Sequence, residues 1–268
     1  MMGRQALLKA SAPVPWTFAN TTTAAWHSAV AGVTSSGGLI SQLDDRKGNG
    51  INPTATTTQR PTIVSNVLNG RPVIRFNGTT NRLRSAGANL LRNVSGATLI
   101  AVVRRTSNLA ASATFIATDT SFGNNRAAMV YRVTAQEGIG GGGRRVANSS
   151  SQGVGSTNPY SPDFKIVILI LNYAAATLTL RENGSQVWTG AFQDAGVTEN
   201  SGGALCLGAN ADAASGFFNG DIAETAVLHV AAGTALCQQA EGYLGHEWAL
   251  NGSLAADHPF LVYPPYIQ

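Results

Sequence analysis

Asp221 and Glu224 are the acidic residues whose spacing first invites a chemical reading. Two carboxyls held about 5 Å apart can cut a glycosidic bond by the retaining route, one as acid and one as nucleophile. On a strand, such a pair needs even spacing, because residues i and i+2 share a face. Asp221 and Glu224 are three apart, so a regular strand turns them to opposite sides. Asp44 and Asp45 are adjacent and diverge in the same way. The four histidines, His27, His229, His246 and His258, have no nucleophile-elbow sequence around them. His246 is expected on the surface of a helix, and His258 in a packing role. The expectation is a protein that is not an enzyme, with glycoside hydrolysis as the outlying alternative.

Metal chemistry has one candidate. Asp44, Asp45 and Asn49 bring three oxygens into a single turn, and calcium takes six to eight such ligands. The competing expectation is that the aspartates bond the backbone of their own turn, which leaves no cofactor. Cys206 and Cys237 are two thiols in a long chain, each within an apolar stretch. They read as buried side chains rather than as a disulfide or zinc site. Gly138–Gly143 formally contains Gly-x-Gly-x-x-Gly. The dinucleotide fingerprint needs a helix after it, and Arg144 to Ser151 offers none, so a loop or hairpin end is expected.

The elements that would position these groups are mostly strands. Ala97–Val103 and Lys165–Leu171 are apolar runs suited to central strands. Val73–Asn77 alternates as a half-buried strand does. Asn69-Gly70 and Asn183-Gly184 are hairpin-type turns. One segment changes period: Leu236, Ala240, Tyr243, Leu244 and Trp248 fall on one helical face. Thr234 is placed to cap this helix and Asn251-Gly252 to end it. Phe76, Leu99, Ala101, Val103, Ile168, Ile170, Trp188, Leu207, Ile222 and Trp248 are the expected core. Recurrent strands with one late helix predict an all-β fold, a two-sheet antiparallel sandwich.

Composition supports this reading. The 268 residues are 44% hydrophobic and include 30 glycines, while only 12% are charged. That is half the usual charged share of about 25%, so hydroxyls and amides must carry much of the surface. The net charge of +4 comes from scattered arginines, with no basic helix to suit nucleic acid. No stretch reaches the roughly 18 apolar residues of a membrane span. Residues 1–16 lack the apolar core of a signal peptide, so a soluble product made in a cytoplasm is expected.

Three further segments carry a family resemblance. Gly220-Asp-Ile-Ala-Glu224, then Glu241-Gly-Tyr-Leu-Gly-His-Glu-Trp248, then Asp257-His-Pro-Phe260 occur in order. Upstream stand Gly70-Arg-Pro-Val-Ile-Arg-Phe-Asn-Gly78 and an Asp-x-x-Gly-Asn-Gly loop at 45–50. Together they resemble concanavalin A-like domains of the laminin G type, as found in bacterial and phage proteins. The resemblance runs from about Gln42 to Phe260. It departs from the family after Trp26, where His27 and Ser28 replace acidic residues.

The resemblance implies a jelly-roll domain over residues 16–260, with an N-terminal arm at 1–15 and a C-terminal tail at 261–268. It implies a virion protein of a phage that binds host-surface carbohydrate, or a capsid decoration or tail assembly protein without a ligand. Asn81, Arg82, Asn210, Asp212, Phe217 and Phe218 are the candidate carbohydrate-binding residues, polar groups beside aromatic faces on loops. The expected partners are other virion proteins through the arm, a host-surface glycan and further copies of the chain, with no nucleic acid and no membrane span.

Overall fold

The computed structural model describes residues 14–87, 90–106, 112–118, 127–131, 138–146, 152–156, 158, 161–191, 194–199, 203–210 and 215–267. In chain order the strands begin with β1 (Thr23–Ser28), β2 (Val33–Ser36), β3 (Leu39–Leu43), β4 (Thr62–Leu68) and β5 (Arg71–Asn77). There follow β6 (Leu83–Arg84), β7 (Ala97–Arg105), β8 (Ala113–Thr118), β9 (Ala127–Tyr131), β10 (Ile139–Gly143) and β11 (Gln152–Gly155). The last are β12 (Lys165–Asn172), β13 (Thr177–Glu182), β14 (Ser185–Ala191), β15 (Leu205–Leu207) and β16 (Asn219–Leu228), before helix α1 (Thr234–Glu247).

They build the expected all-β sandwich of two antiparallel sheets. One sheet runs β14-β13-β12-β7-β16-β5-β4-β3-β2, with β1 also paired to β16; the other runs β11-β10-β9-β8-β15-β6. The apolar runs at β7 and β12 lie side by side at the centre of the larger sheet, buried on both faces. One face looks across to the smaller sheet, where Phe76, Phe115, Tyr131 and Phe218 pack ring to ring. The other face is covered in part by α1, which makes a third layer.

Strand β16 is irregular in a way that matters. Ile222 pairs with Val103 and Glu224 with Val102, so Ala223 is an extra residue, a β-bulge. The bulge overturns the expectation that Asp221 and Glu224 diverge. Asp221 stands opposite Arg104, Glu224 opposite Val102, and those two β7 residues share a face. Both carboxylates therefore lie on the outer face. The bulge also marks a change of neighbour: residues up to Ile222 pair with β5, and residues from Glu224 pair with β1.

Several local expectations are corrected. Ile170 and Trp188 are only half-buried, Trp188 because β14 is an edge strand. Helix α1 takes Gly233, not Thr234, as its N-cap. It ends at Trp248 with Ala249 in the left-handed region at φ 51°, rather than at Asn251-Gly252. Gly138–Gly143 is no loop: most of it is β10, paired on both sides. Its glycines answer to crowding, since a Cβ on Gly142 would sit 2.0 Å from the Gln152 carbonyl oxygen. His246 is half-buried and within 2.9 Å of the Phe260 carbonyl rather than free on the surface.

The first and last described segments, residues 14–16 and 265–267, meet. Trp16 N–H donates to the Pro265 carbonyl and Ile267 N–H to that of Val14, with Pro15 bridging Tyr266. Among the described residues no helix is long and apolar enough to cross a membrane.

Candidate functional site

The structure turns the residues predicted for binding toward structural work. Asp45 Oδ1 accepts from the amides of Trp26 and Lys47, and Oδ2 from that of Asn49. Asn49 donates its amide to the carbonyls of Thr23 and Ala24. Asp44 lies apart and accepts from Gln42. The proposed calcium set is thus a hydrogen-bonded turn, and no group of three or more His, Cys, Asp or Glu converges among the described residues. Asn81 is buried between the Asn77 amide and the Arg60 carbonyl. The Arg82 backbone anchors to Gln59, and its side chain is half-buried. Asn210 is buried against Thr114 and Ser215. Phe218 is a core ring stacked parallel on Tyr131 at 5.8 Å. Phe217 is half-buried over a small cluster of Ala117, Ala128, Cys206 and Ala209. Asp212 lies outside the described residues. Of the described members of this set, Asn81, Asn210 and Phe218 are buried, and Arg82 and Phe217 are half-buried.

The two outer-face carboxylates are also engaged. Asp221 is held by Arg75 and Arg104. Glu224 Oε1 accepts from Trp26 Nε1 at 2.6 Å and Tyr243 Oη at 3.0 Å, and Oε2 from Trp248 Nε1 at 2.7 Å. Both side chains are fully buried. Burial pushes the Glu224 carboxyl above its usual range, against the opposing pull of the indole and phenol donors and of Arg46.

A site of a different kind emerges at the β13–β14 turn. A cleft of about 490 Å³ at Thr22, Asn49 and His229 is larger, but its Asn49 is already spent on the backbone. The cleft of about 410 Å³ at Lys165, Glu182 and Asn183 keeps unused polar capacity. Glu182 is the last residue of β13, and only 3% of its side chain is exposed. Its Oε2 accepts from Lys165 Nζ at 3.0 Å and from Asn158 Nδ2 at 3.2 Å. Oε1 is buried with no donor among the described residues. A carboxylate oxygen buried without a donor is costly, and such a group asks for an explanation. Val187 and Leu254 form an apolar wall, while Ser185 and Ser253 put hydroxyls on the rim.

The turn that carries Glu182 is fixed from three sides. The Asn183 amide N–H donates to Ile166, its side-chain Oδ1 accepts from the Ile166 amide, and its carbonyl accepts from Ala255. Arg181, next in the strand, grips Glu241 of α1 with Nε at 2.8 Å and Nη2 at 2.9 Å, and Nη2 also donates to the Gly184 carbonyl. Burial opposes the Arg181 charge, but Glu241 outweighs it and raises the guanidinium pKa. His258 closes the back of the turn, 3.3 Å from Glu241 and so near Gly184 that a Cβ there would lie 2.9 Å from its ring. The sequence marks only the adjacent Asn183-Gly184, as a hairpin-type turn, and not Glu182 itself. The available signal was the charged pair Arg181-Glu182 ending an alternating Thr-Leu strand just before Asn-Gly.

No family model matches the chain, and no curated protein matches it. Solved structures do. The heptameric SAP-like pentraxin of Limulus polyphemus aligns with a TM-score of 0.51 and 19% identity, over 63% of this chain and 81% of that one. A GH54 α-L-arabinofuranosidase aligns at 0.57 and 15%, over 83% and 62%. The binding domain of botulinum neurotoxin serotype D aligns at 0.55 and 10%, over 81% and 49%. The fold is a jelly-roll, lectin-like sandwich. This chain spans less than two thirds of the last two proteins, and at such identities the likeness extends to fold alone. The concanavalin A-like part of the resemblance is thereby supported; its narrower phage branch is not.

Proposed function

We propose that this chain is a non-catalytic carbohydrate-binding protein whose ligand enters the Glu182 cleft. One observation carries the reading: a buried carboxylate, one of whose oxygens has no donor among the described residues, stands beside an ammonium and an amide against an apolar wall. A sugar matches that surface, with hydroxyls that both donate and accept and with C–H faces for Val187 and Leu254. A small rotation of the carboxylate presents Oε1 to a ligand hydroxyl, while Lys165 and Asn158 supply donors. Glu182 is the one carboxylate among the described residues lining this cleft, and cleavage would require two. The jelly-roll sandwich that the chain shares with its structural neighbours accommodates such a role at the level of fold.

The test is a glycan array followed by calorimetry on Glu182→Gln and Lys165→Met. Binding that weakens in both variants, with no release of reducing sugar, supports the reading. A folded protein that binds nothing on the array overturns it.

A second reading has its own observation. Val14, Val262, Tyr263, Tyr266 and Ile267 are exposed apolar side chains where residues 14–16 meet the 261–267 segment. Such a patch suits packing against another protein or another copy, as the virion-assembly reading requires. Phage-particle residence rests on the sequence resemblance, and detection of the chain in purified particles would test it. If the patch drives self-association, Tyr263→Ser with Ile267→Ser shifts the mass measured by light scattering toward monomer. An unchanged mass removes this reading.

A further inference from the structure

We infer that the outer face of the larger sheet carries a second site, for a carboxylate or sulfate group on an acidic glycan, formed by Arg75 and Arg104. The two arginines sit on β5 and β7, on either side of Asp221 in β16, one row across three strands. Asp221 is fully buried and binds both. Arg75 meets it as a fork, Nε to Oδ1 at 2.7 Å and Nη2 to Oδ2 at 2.9 Å. Arg104 brings Nε and Nη2 to Oδ2, each at 2.8 Å. Among the described residues no hydrogen bond engages Nη1 of either arginine.

Three consequences follow from this geometry. Two cationic groups face one carboxylate, so the row keeps a net positive charge. The Arg104 guanidinium also lies 4.6 Å from the centre of the Phe164 ring, which fixes its plane. Finally, Arg75 and Arg104 side chains remain 41% and 27% exposed, so their outer N–H groups are reachable. A surface arginine normally loses side-chain freedom when it binds an anion; here Asp221 and Phe164 have already restrained both. The neighbouring row on this face holds Asn77 and Asn219, which are uncharged and do not repel an anion. A planar carboxylate or a sulfate has the oxygens to bridge the two Nη1 groups.

This site lies on the opposite face of the sheet from Lys165 and Glu182, since those pair in register with the inward Val103 and Val167. The two sites can therefore be tested apart. The full chain is titrated with trigalacturonate, with the neutral maltotriose, and with sodium sulfate at constant ionic strength, while arginine Nε–H resonances and affinity are followed. The expected result is that trigalacturonate shifts the Arg75 and Arg104 signals and maltotriose does not. Arg75→Gln and Arg104→Gln each weaken trigalacturonate by roughly tenfold or more, as expected for a lost charge-assisted hydrogen bond. Arg75→Lys keeps the charge on Asp221 but loses the fork, and also weakens binding. The exposed Arg92, changed to Gln, has no effect. Unmoved Arg75 and Arg104 signals in the parent protein overturn the site. Equal weakening by Arg92→Gln shows a general charge effect and also overturns it. Sulfate binding as tightly as trigalacturonate overturns the glycan assignment. Glu182→Gln leaves the acidic-ligand response intact, so failure of one site is distinguishable from failure of the other.

Discussion

Two carboxylates three residues apart on β16 meet opposite fates. Asp221 is matched by arginines that reach solvent, whereas Glu224 lies beneath α1 and is matched by two indoles and a phenol. Both are fully buried, so accessibility does not separate them; the kind of partner does. Guanidinium groups neutralise Asp221 and leave positive charge at the surface. Indole and phenol donors satisfy the oxygens of Glu224, the Arg46 guanidinium reaches it only at 3.9 Å, and burial outweighs them all so that its pKa rises. One pairing prepares a surface for ligands, and the other ties β1, β16 and α1 together.

The largest test of this contrast removes a partner of Glu224. Trp248→Ala deletes a fully buried ring and one of the three donors. It is expected to cost about 3–5 kcal/mol, read by chemical denaturation. An unchanged midpoint would detach the helix end from the core. Glu224→Gln is expected to cost about 1–3 kcal/mol, because the new amide cannot accept at both oxygen positions and strands a buried donor. Its pH dependence sharpens the point. A carboxyl whose folded pKa is raised stabilises fully below the ordinary carboxylate range and loses that contribution as pH rises through the folded value. Wild-type stability should therefore decline upward from about pH 4.5, the ordinary glutamate value, while Glu224→Gln lacks that slope. Parallel pH curves would refute the burial argument.

Asp221→Asn should cost less, about 1–2 kcal/mol, because the partly exposed Arg75 and Arg104 can turn to water. A loss as large as that of Trp248→Ala would erase the distinction between the two carboxylates. Tyr243→Phe is the mildest change. Burial raises the Tyr243 phenol pKa, with the Glu224 charge adding to it, so its stabilising contribution is lost as pH climbs past the ordinary tyrosine range. The variant should lose under about 1 kcal/mol near neutrality and show a flatter decline in alkaline melting curves.

What could be read from the sequence was local. Asn69-Gly70 and Asn183-Gly184 adopt positive φ at both positions, as hairpin turns of that composition must. β7 and β12 were legible because an unbroken apolar run has little alternative to a two-sided burial. The failures are long-range or hinge on one residue. Nothing near Glu224 announces Trp26, which is 198 positions away. Nothing in Ile222-Ala223-Glu224 marks a bulge, since alanine fits either register. Phe217 and Phe218 presented the same aromatic character, and only the packing of the second sheet decided that Phe218 goes inward. The Glu182 cleft was hidden for the same reason: Asn158, Lys165 and Ser253 come from separate parts of the chain and meet only once both sheets and the C-terminal segment are in place.

The pairing of residues 14–16 with 265–267 has a mechanical consequence. Among the described residues Val14 and Ile267 form the outermost link and Trp16 and Pro265 the next one in, so tension that pulls the two segments apart reaches these bonds singly and in turn. The pair acts as a zip rather than a shear joint. A weak pull parts it, and the sandwich behind it bears no load until both links have gone.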